Sequence, residues 1–153
     1  FFSEFLSFCR ERKIDLKIVS DGLDVYIEAI LRKYGLDVEF YSNRLLFRED
    51  DRIDFAFPLA SEECGRCGTC KRSLLNRFRS DYDRIIYIGD GYSDVCPARA
   101  ADQVFAKPIL HEKCVKNGTP SLLYDNFGDI RRCLEKNLVI NHFGDEVLKV
   151  FDV

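Results

Sequence analysis

The chain has 153 residues, of which 46% are hydrophobic and 32% are charged, a balance typical of one globular domain. Its net charge of -3 offers no basic surface for nucleic acid, and no apolar run approaches the roughly 20 residues that cross a bilayer. We therefore expect one cytoplasmic domain over residues 1–153 that binds neither nucleic acid nor membranes.

The first half of the chain predicts strands and helices in alternation, from apolar residues at helical spacing and from short β-branched runs. Turns are predicted at Asp21-Gly22, at Ser42-Asn43 and at 49–51, where polar residues interrupt the apolar pattern. In chain order the predicted elements are a helix over 1–13, a strand over 16–20, a helix over 23–34, strands within 37–57, a Pro, Ser, Gly and Cys-rich loop over 58–70 and a helix over 71–79.

The second half continues the alternation around Ile85-Ile86-Tyr87-Ile88, an apolar run typical of a strand that is buried on both faces of a parallel sheet. After it we predict a helix over 93–101, a strand over 103–106, helices over 110–117 and 126–136, and a tail over 138–153 with a strand-like start and a weak last helix. This alternation predicts an α/β fold with a parallel sheet.

Ligands of open parallel sheets bind beyond the carboxyl ends of the strands, so the residues that follow each predicted strand are candidates for a site. Ser20-Asp21-Gly22 follows the first strand and offers a hydroxyl and free backbone amides, which suit a phosphate group. A helix cap with no ligand explains the same three residues.

Asp90 and Asp94 follow the most buried strand in the segment Gly89-Asp90-Gly91-Tyr92-Ser93-Asp94. Mg2+ prefers oxygen ligands and commonly takes one or two protein carboxylates, so the two aspartates are candidates for a metal site. Capping of the next helix by Ser93 or Asp94 is the alternative, although it needs one carboxylate and not two.

Lys71 begins the helix after the cysteine-rich loop, a position where the helix dipole disfavours a cation. Taken alone it is explained as a solvated surface lysine. Its place between the Ser20 segment and the two aspartates makes it a candidate for binding the same anion.

The Ser20 segment, Lys71 and the pair of aspartates follow one another in the order of motifs two, three and four of the haloacid dehalogenase-like phosphatase superfamily, which they resemble. The segments 67–71, 86–98 and 101–107, with 114–130 further on, are similar to the group that includes the 2,3-diketo-5-methylthio-1-phosphopentane phosphatases of methionine salvage and the phosphoserine phosphatase-like enzymes. The resemblance covers the chain up to about residue 136 and implies a three-layer Rossmann-like fold, a parallel sheet with flanking helices.

The resemblance also implies a role for each matching residue. Ser20 would donate a hydrogen bond to the phosphoryl group, with the amides of Asp21 and Gly22 nearby. Lys71 would hold the phosphoryl group, and Asp90 would bind Mg2+ directly. Asp94 would bind the metal through a water or orient Lys71. The implied reaction is Mg2+-dependent hydrolysis of a small phosphorylated metabolite through an aspartyl-phosphate.

The superfamily's first motif, an Asp-x-Asp segment that supplies the nucleophile and the general acid, has no counterpart here: the aspartates at 50–51 and 81–83 lie in polar turns. We therefore expect the fold to be incomplete at the N-terminus, with the nucleophile and the cap in a missing segment. Alone, the chain should not form a phospho-enzyme. Without a central strand, its sheet should expose edges that favour self-association.

The cysteines at Cys64-x2-Cys67-x2-Cys70 leave three interpretations open: a structural loop, a soft-metal site and a redox-sensitive thiol pair. A tetrahedral metal site would need a fourth ligand, for which Cys96, His111 and His142 are candidates. A non-catalytic phosphate-binding module, or a metal-binding interaction module built on these cysteines, is thus the alternative to a phosphatase.

Overall fold

A computed structural model describes residues 1–140 and 147–151 of the chain. The helices are α1 (Phe2–Glu11), α2 (Asp24–Lys33), α3 (Lys71–Phe78), α4 (Val95–Ala98), α5 (Pro108–Lys116) and α6 (Phe127–Ile140), with a short 3-10 helix over Tyr92–Asp94. The strands are β1 (Asp15–Leu23), β2 (Glu39–Phe47), β3 (Ile53–Ala56), β4 (Arg84–Gly89), β5 (Gln103–Ala106), β6 (Leu122–Leu123) and β7 (Val147–Phe151).

The strands form one sheet in the order β3-β2-β1-β7-β4-β5-β6. Every neighbouring pair is parallel except β2 and β3, which form an antiparallel hairpin. The predicted α/β fold with a parallel sheet is confirmed, and the β2–β3 pair adds an antiparallel edge to it.

Helices cover both faces of the sheet because its central strands are apolar on both sides. Ile86 and Ile88 of β4 pack with α1, α2 and α6 in one core, whereas Ile85 and Tyr87 pack with α3, α4 and α5 in the other. All four side chains are buried, which confirms the prediction for this strand and gives the three layers of a Rossmann-like fold.

The strand β7 joins the two halves of the sheet. Phe151 pairs with Ile18 of β1 on one side and with Ile88 of β4 on the other. The expectation of exposed edges between the halves is therefore wrong, because this segment occupies the gap. Self-association stays a prediction, and so does the single domain over 1–153.

The tail was predicted wrongly: residues 138–140 belong to α6, and the part predicted as a weak helix contains β7. An apolar segment this short fits either a helix or a buried strand, and its pairing partners decide between them. The residues 141–146 and 152–153 lie outside the described part.

Two predicted turns lie inside strands. β1 continues through Ser20-Asp21-Gly22 to Leu23, with an irregular register between Val19 and Leu23, and β2 continues through Ser42-Asn43. These polar residues stay in the strands because they bond to one another and to the loop at Thr69. The helix predicted over 93–101 is shorter than expected, since α4 ends at Ala98.

Within the described residues, no helix is both long enough and apolar enough to span a membrane.

Candidate active site

The site lies where the carboxyl ends of β1 and β4 meet the same edge of the sheet. Ser20 and Asp90 each stand two residues beyond the isoleucine that pairs with Phe151. They therefore lie at the same level of the sheet, two strand spacings or roughly 10 Å apart. The sequence predicted both positions.

Lys71 and Asp94 form a buried ion pair at this edge. The Lys71 ammonium lies 2.9 Å from Asp94 Oδ1 and also donates to Ser93 Oγ at 3.2 Å. Lys71 is 4% exposed and Asp94 is not exposed at all, so the interpretation of Lys71 as a solvated surface residue is wrong. The nearby carboxylate explains how a cation is tolerated at the start of α3.

Asp94 is held by further hydrogen bonds to both of its oxygens. The Tyr87 hydroxyl donates to Oδ1 at 2.6 Å, and the amides of Asp90 and Gly91 donate to Oδ2 at 2.9 and 3.1 Å. Sequence reasoning missed Tyr87, although a hydroxyl within a buried aliphatic run signals a required polar partner. Because both oxygens are engaged, Asp94 is suited to orienting Lys71 rather than to binding a metal directly.

The carboxylate of Asp90 is exposed at the same edge. It offers the hard oxygen that Mg2+ prefers, and Mg2+ normally completes its coordination with water and substrate phosphate. Asp90 therefore fits the implied metal, with Asp94 beside it at the base of the loop.

Ser20 is 1% exposed, and its hydroxyl oxygen accepts a hydrogen bond from the Gly22 amide at 3.1 Å. Leu23, and not Ser20 or Asp21, is the residue that precedes α2, so the helix-cap interpretation of Ser20-Asp21-Gly22 is wrong. Phosphate binding by these residues stays a prediction.

A buried polar network joins the end of β1 to the cysteine-rich loop. Asn43 donates to the backbone carbonyl of Asp21 at 2.7 Å and accepts from the Thr69 hydroxyl at 3.0 Å. The Thr69 amide donates to Asp21 Oδ1 at 2.8 Å. These bonds position the segment that precedes Lys71. The sequence predicts a turn at Ser42-Asn43 and does not indicate this role, which becomes visible only from the burial and the hydrogen bonds of Asn43 in the fold.

The cysteines at 64, 67, 70 and 96 line one small cavity together with Asp21 and Lys71. Burial, followed by the negative charge of Asp21, raises the pKa of the Cys67 thiol. Among the residues that the structure describes, no group of three or more His, Cys, Asp or Glu is placed to hold a metal ion. His111 bonds instead to Ser121, 2.8 Å away, and His142 lies outside the described residues.

Residues 2–109 match the family model described as "Putative Phosphatase". The chain belongs to this phosphatase family. The match extends from α1 to the start of α5 and includes Ser20, Lys71, Asp90 and Asp94. It confirms the resemblance drawn from the order of the three motifs.

Two relatives are identical to the chain at about a third of the aligned positions. It is 36% identical over 138 residues to the 2-hydroxy-3-keto-5-methylthiopentenyl-1-phosphate phosphatase of Brevibacillus brevis, covering 88% of this chain and 62% of that protein. It is 32% identical over 130 residues to the enzyme of the same name from Exiguobacterium sibiricum, covering 84% of this chain and 59% of that protein. The chain thus spans about three fifths of the length of these relatives.

Proposed function

We propose that the chain belongs to a Mg2+-dependent phosphomonoesterase and supplies its phosphate-binding and metal-binding residues. The buried Lys71–Asp94 pair beside the exposed Asp90 carries this proposal. A core held together by apolar packing has no need of a fully buried ion pair, because desolvation opposes it. A fixed ammonium and an exposed carboxylate at the same edge of the sheet suit a phosphate group and its metal ion.

Each residue has a distinct role in the proposed reaction. Asp94 fixes the Lys71 ammonium, which stabilises the negative charge on the phosphoryl oxygens during transfer. Ser20 donates a hydrogen bond to the same phosphoryl group, near the amides of Asp21 and Gly22. Asp90 holds Mg2+, which when bound neutralises phosphate charge.

We propose that the reaction proceeds through an aspartyl-phosphate whose nucleophile is supplied from outside these 153 residues. This proposal rests on the position of the Asp-x-Asp segment that the sequence contains, Asp81-Tyr82-Asp83, which precedes β4 and does not follow a buried strand. Water then attacks the aspartyl-phosphate and releases phosphate, which regenerates the carboxylate.

The substrate is proposed to be a small phosphorylated metabolite of methionine salvage in the cytoplasm. The names of the relatives supply one candidate, 2-hydroxy-3-keto-5-methylthiopentenyl-1-phosphate. Its single phosphate matches a site with one buried lysine.

Binding of inorganic phosphate by the chain, measured calorimetrically with and without Mg2+, tests the metal and phosphate sites. Asp90→Asn should remove the effect of Mg2+ and weaken binding about tenfold or more, since a lost charge-assisted contact costs roughly 1.5–3 kcal/mol. The matched control is Asp83→Asn, because Asp83 is an exposed aspartate at the opposite end of the same strand. Phosphate binding that does not depend on Mg2+, or that weakens equally in both variants, would contradict the proposal.

Treatment with a radiolabelled small phosphate donor tests where the nucleophile lies. We expect no label on the chain alone. A stable label would overturn this expectation, and peptide mapping would then identify the aspartate. Asp152 is the first to check, because it follows β7 directly in the sequence. Phosphate binding with no turnover by any longer form of the protein would favour the non-catalytic binding module.

A further inference from the structure

Four cysteines from two segments of the chain meet at a cavity of about 20 Å³, roughly the space of one water molecule. All four are free thiols. Three come from the loop before α3, and the fourth, Cys96, comes from α4. They line this cavity as Cys64, Cys67, Cys70 and Cys96.

A disulfide makes a smaller geometric demand than a metal site, because it needs two sulfurs and not a full ligand set. The described residues include no such ligand set. Disulfides in reducing compartments are usually transient and redox-sensing, so a bond at this cavity would be a reversible modification.

Cys64 and Cys96 are the accessible pair. Both, together with Cys70, also line a second, larger cavity of about 260 Å³. Cys96 is exposed and Cys64 is half-buried, whereas Cys70 is buried. Cys67 is half-buried, and its raised pKa reduces the thiolate that reacts.

The loop has room to bring Cys64 toward α4. Gly65 follows Cys64 directly, with a φ of +58°, and nothing lies within 4 Å of the position that its Cβ would take. One side of this turn is therefore open space.

We propose that Cys64 and Cys96 form a reversible disulfide when the protein meets a small-molecule disulfide such as oxidised glutathione. The Cys96 thiolate attacks one sulfur of the reagent, which forms a mixed disulfide and releases one thiol. The Cys64 thiolate then attacks the Cys96 sulfur and releases the second thiol. The two protein thiols lose two protons and two electrons, and the reagent is reduced to two thiols.

The bond would join the loop that leads to Lys71 with the helix that follows Asp94. Lys71 and Ser93 line the same small cavity, so the bond closes one side of the candidate phosphate site. The expectation that oxidation weakens phosphate binding rests on the proposed function. The bond itself does not.

Tryptic mapping separates the candidate thiols cleanly. Cleavage after lysine and arginine places Cys64 in residues 53–66, the pair Cys67 and Cys70 in residues 67–71, and Cys96 in residues 85–99. After incubation of the whole chain with oxidised glutathione, we expect the first and third peptides to be linked, and a reducing agent to separate them.

Cys64→Ser should leave a stable glutathione adduct on Cys96, and Cys96→Ser should abolish the link. The matched control is Cys133→Ser, a cysteine of α6 that packs against the opposite core and should leave the link intact. A bond within residues 67–71, or a persistent adduct on Cys96 in the unmodified protein, would overturn the proposal.

Calorimetry on the same samples tests whether the Cys64–Cys96 disulfide changes phosphate binding. We expect oxidation to weaken phosphate binding severalfold, and reduction to restore it. A mapped Cys64–Cys96 link with unchanged phosphate binding would confirm the bond and contradict its effect on the site. If neither form binds phosphate, the proposed function fails while the disulfide stands.

Discussion

The Lys71 ammonium lies 2.9 Å from Asp94 Oδ1, and both side chains are buried at the carboxyl edge of the sheet. Removing one partner of such a pair leaves an uncompensated charge away from water. We therefore expect Lys71→Met to lower the free energy of unfolding by about 3–5 kcal/mol, measured by urea denaturation. The double variant with Asp94→Asn should recover part of the loss, and additive losses would show that the two charges do not interact.

Gly89 is required by the close approach of Asp94. A Cβ at this position would lie 2.7 Å from Asp94 Oδ2, whereas a Cβ at Gly91 would meet nothing within 4 Å. Gly89→Ala should lower the free energy of unfolding by about 1–3 kcal/mol, and Gly91→Ala should change it by less than about 0.5. Equal thermal stability of the two variants would contradict this contact.

Asn43 connects β1, β2 and the loop before α3 through side-chain hydrogen bonds. Asn43→Ala leaves the buried Thr69 hydroxyl without this acceptor, so we expect a loss of about 1–3 kcal/mol in the free energy of unfolding. Limited proteolysis should also cut the 58–70 loop faster. Asn76→Ala, at an exposed position of α3, is the control that should change neither measurement.

Asp15 should make the free energy of unfolding decrease as the pH falls into the acid range. Burial alone raises its pKa, but hydrogen bonds from Tyr82 and Lys17 outweigh burial and lower the pKa below the ordinary 3.8. A folded pKa below the unfolded one stabilises the fold above about pH 4, and this contribution is lost as the pH falls through the folded pKa.

Urea midpoints measured between about pH 5 and pH 2 test this contribution. Asp15→Asn should lose less stability over that interval than the unmodified chain. Glu28→Gln, at an exposed position of α2, should follow the unmodified chain. Parallel curves for all three proteins would remove Asp15 from the acid transition.

β7 should tolerate substitution poorly wherever it loses a backbone donor. Val150 pairs with Lys17 on one side and with Tyr87 on the other. Val150→Pro removes an N–H from a central strand, so we expect about 3 kcal/mol or more of destabilisation and aggregation on mild heating. Val150→Ala keeps the N–H and is the matched control. A soluble, equally stable proline variant would show that β7 does not hold the two halves together.

The sequence predicted the elements that apolar periodicity defines and missed those that distant partners define. The patterns of β4 and β5 were sufficient because each is a continuous buried run. A polar pair usually ends a strand, so the sequence predicts turns at Asp21 and Asn43. The bonds that keep these two residues in strands come from elsewhere in the chain. The site residues Lys71, Asp90 and Asp94 followed from motif order, but the contact between Lys71 and Asp94 required the fold.

The position of β7 also constrains how the protein folds during synthesis. Asp15 pairs with Leu148, so the strand that completes the sheet leaves the ribosome after all its partners. At about 5–20 residues per second, β1 spends several seconds with an unpaired edge before its neighbour is made. Pairing between such distant segments is also slow, because a long loop must close first. We therefore expect the nascent chain to need a chaperone more than its finished stability would suggest.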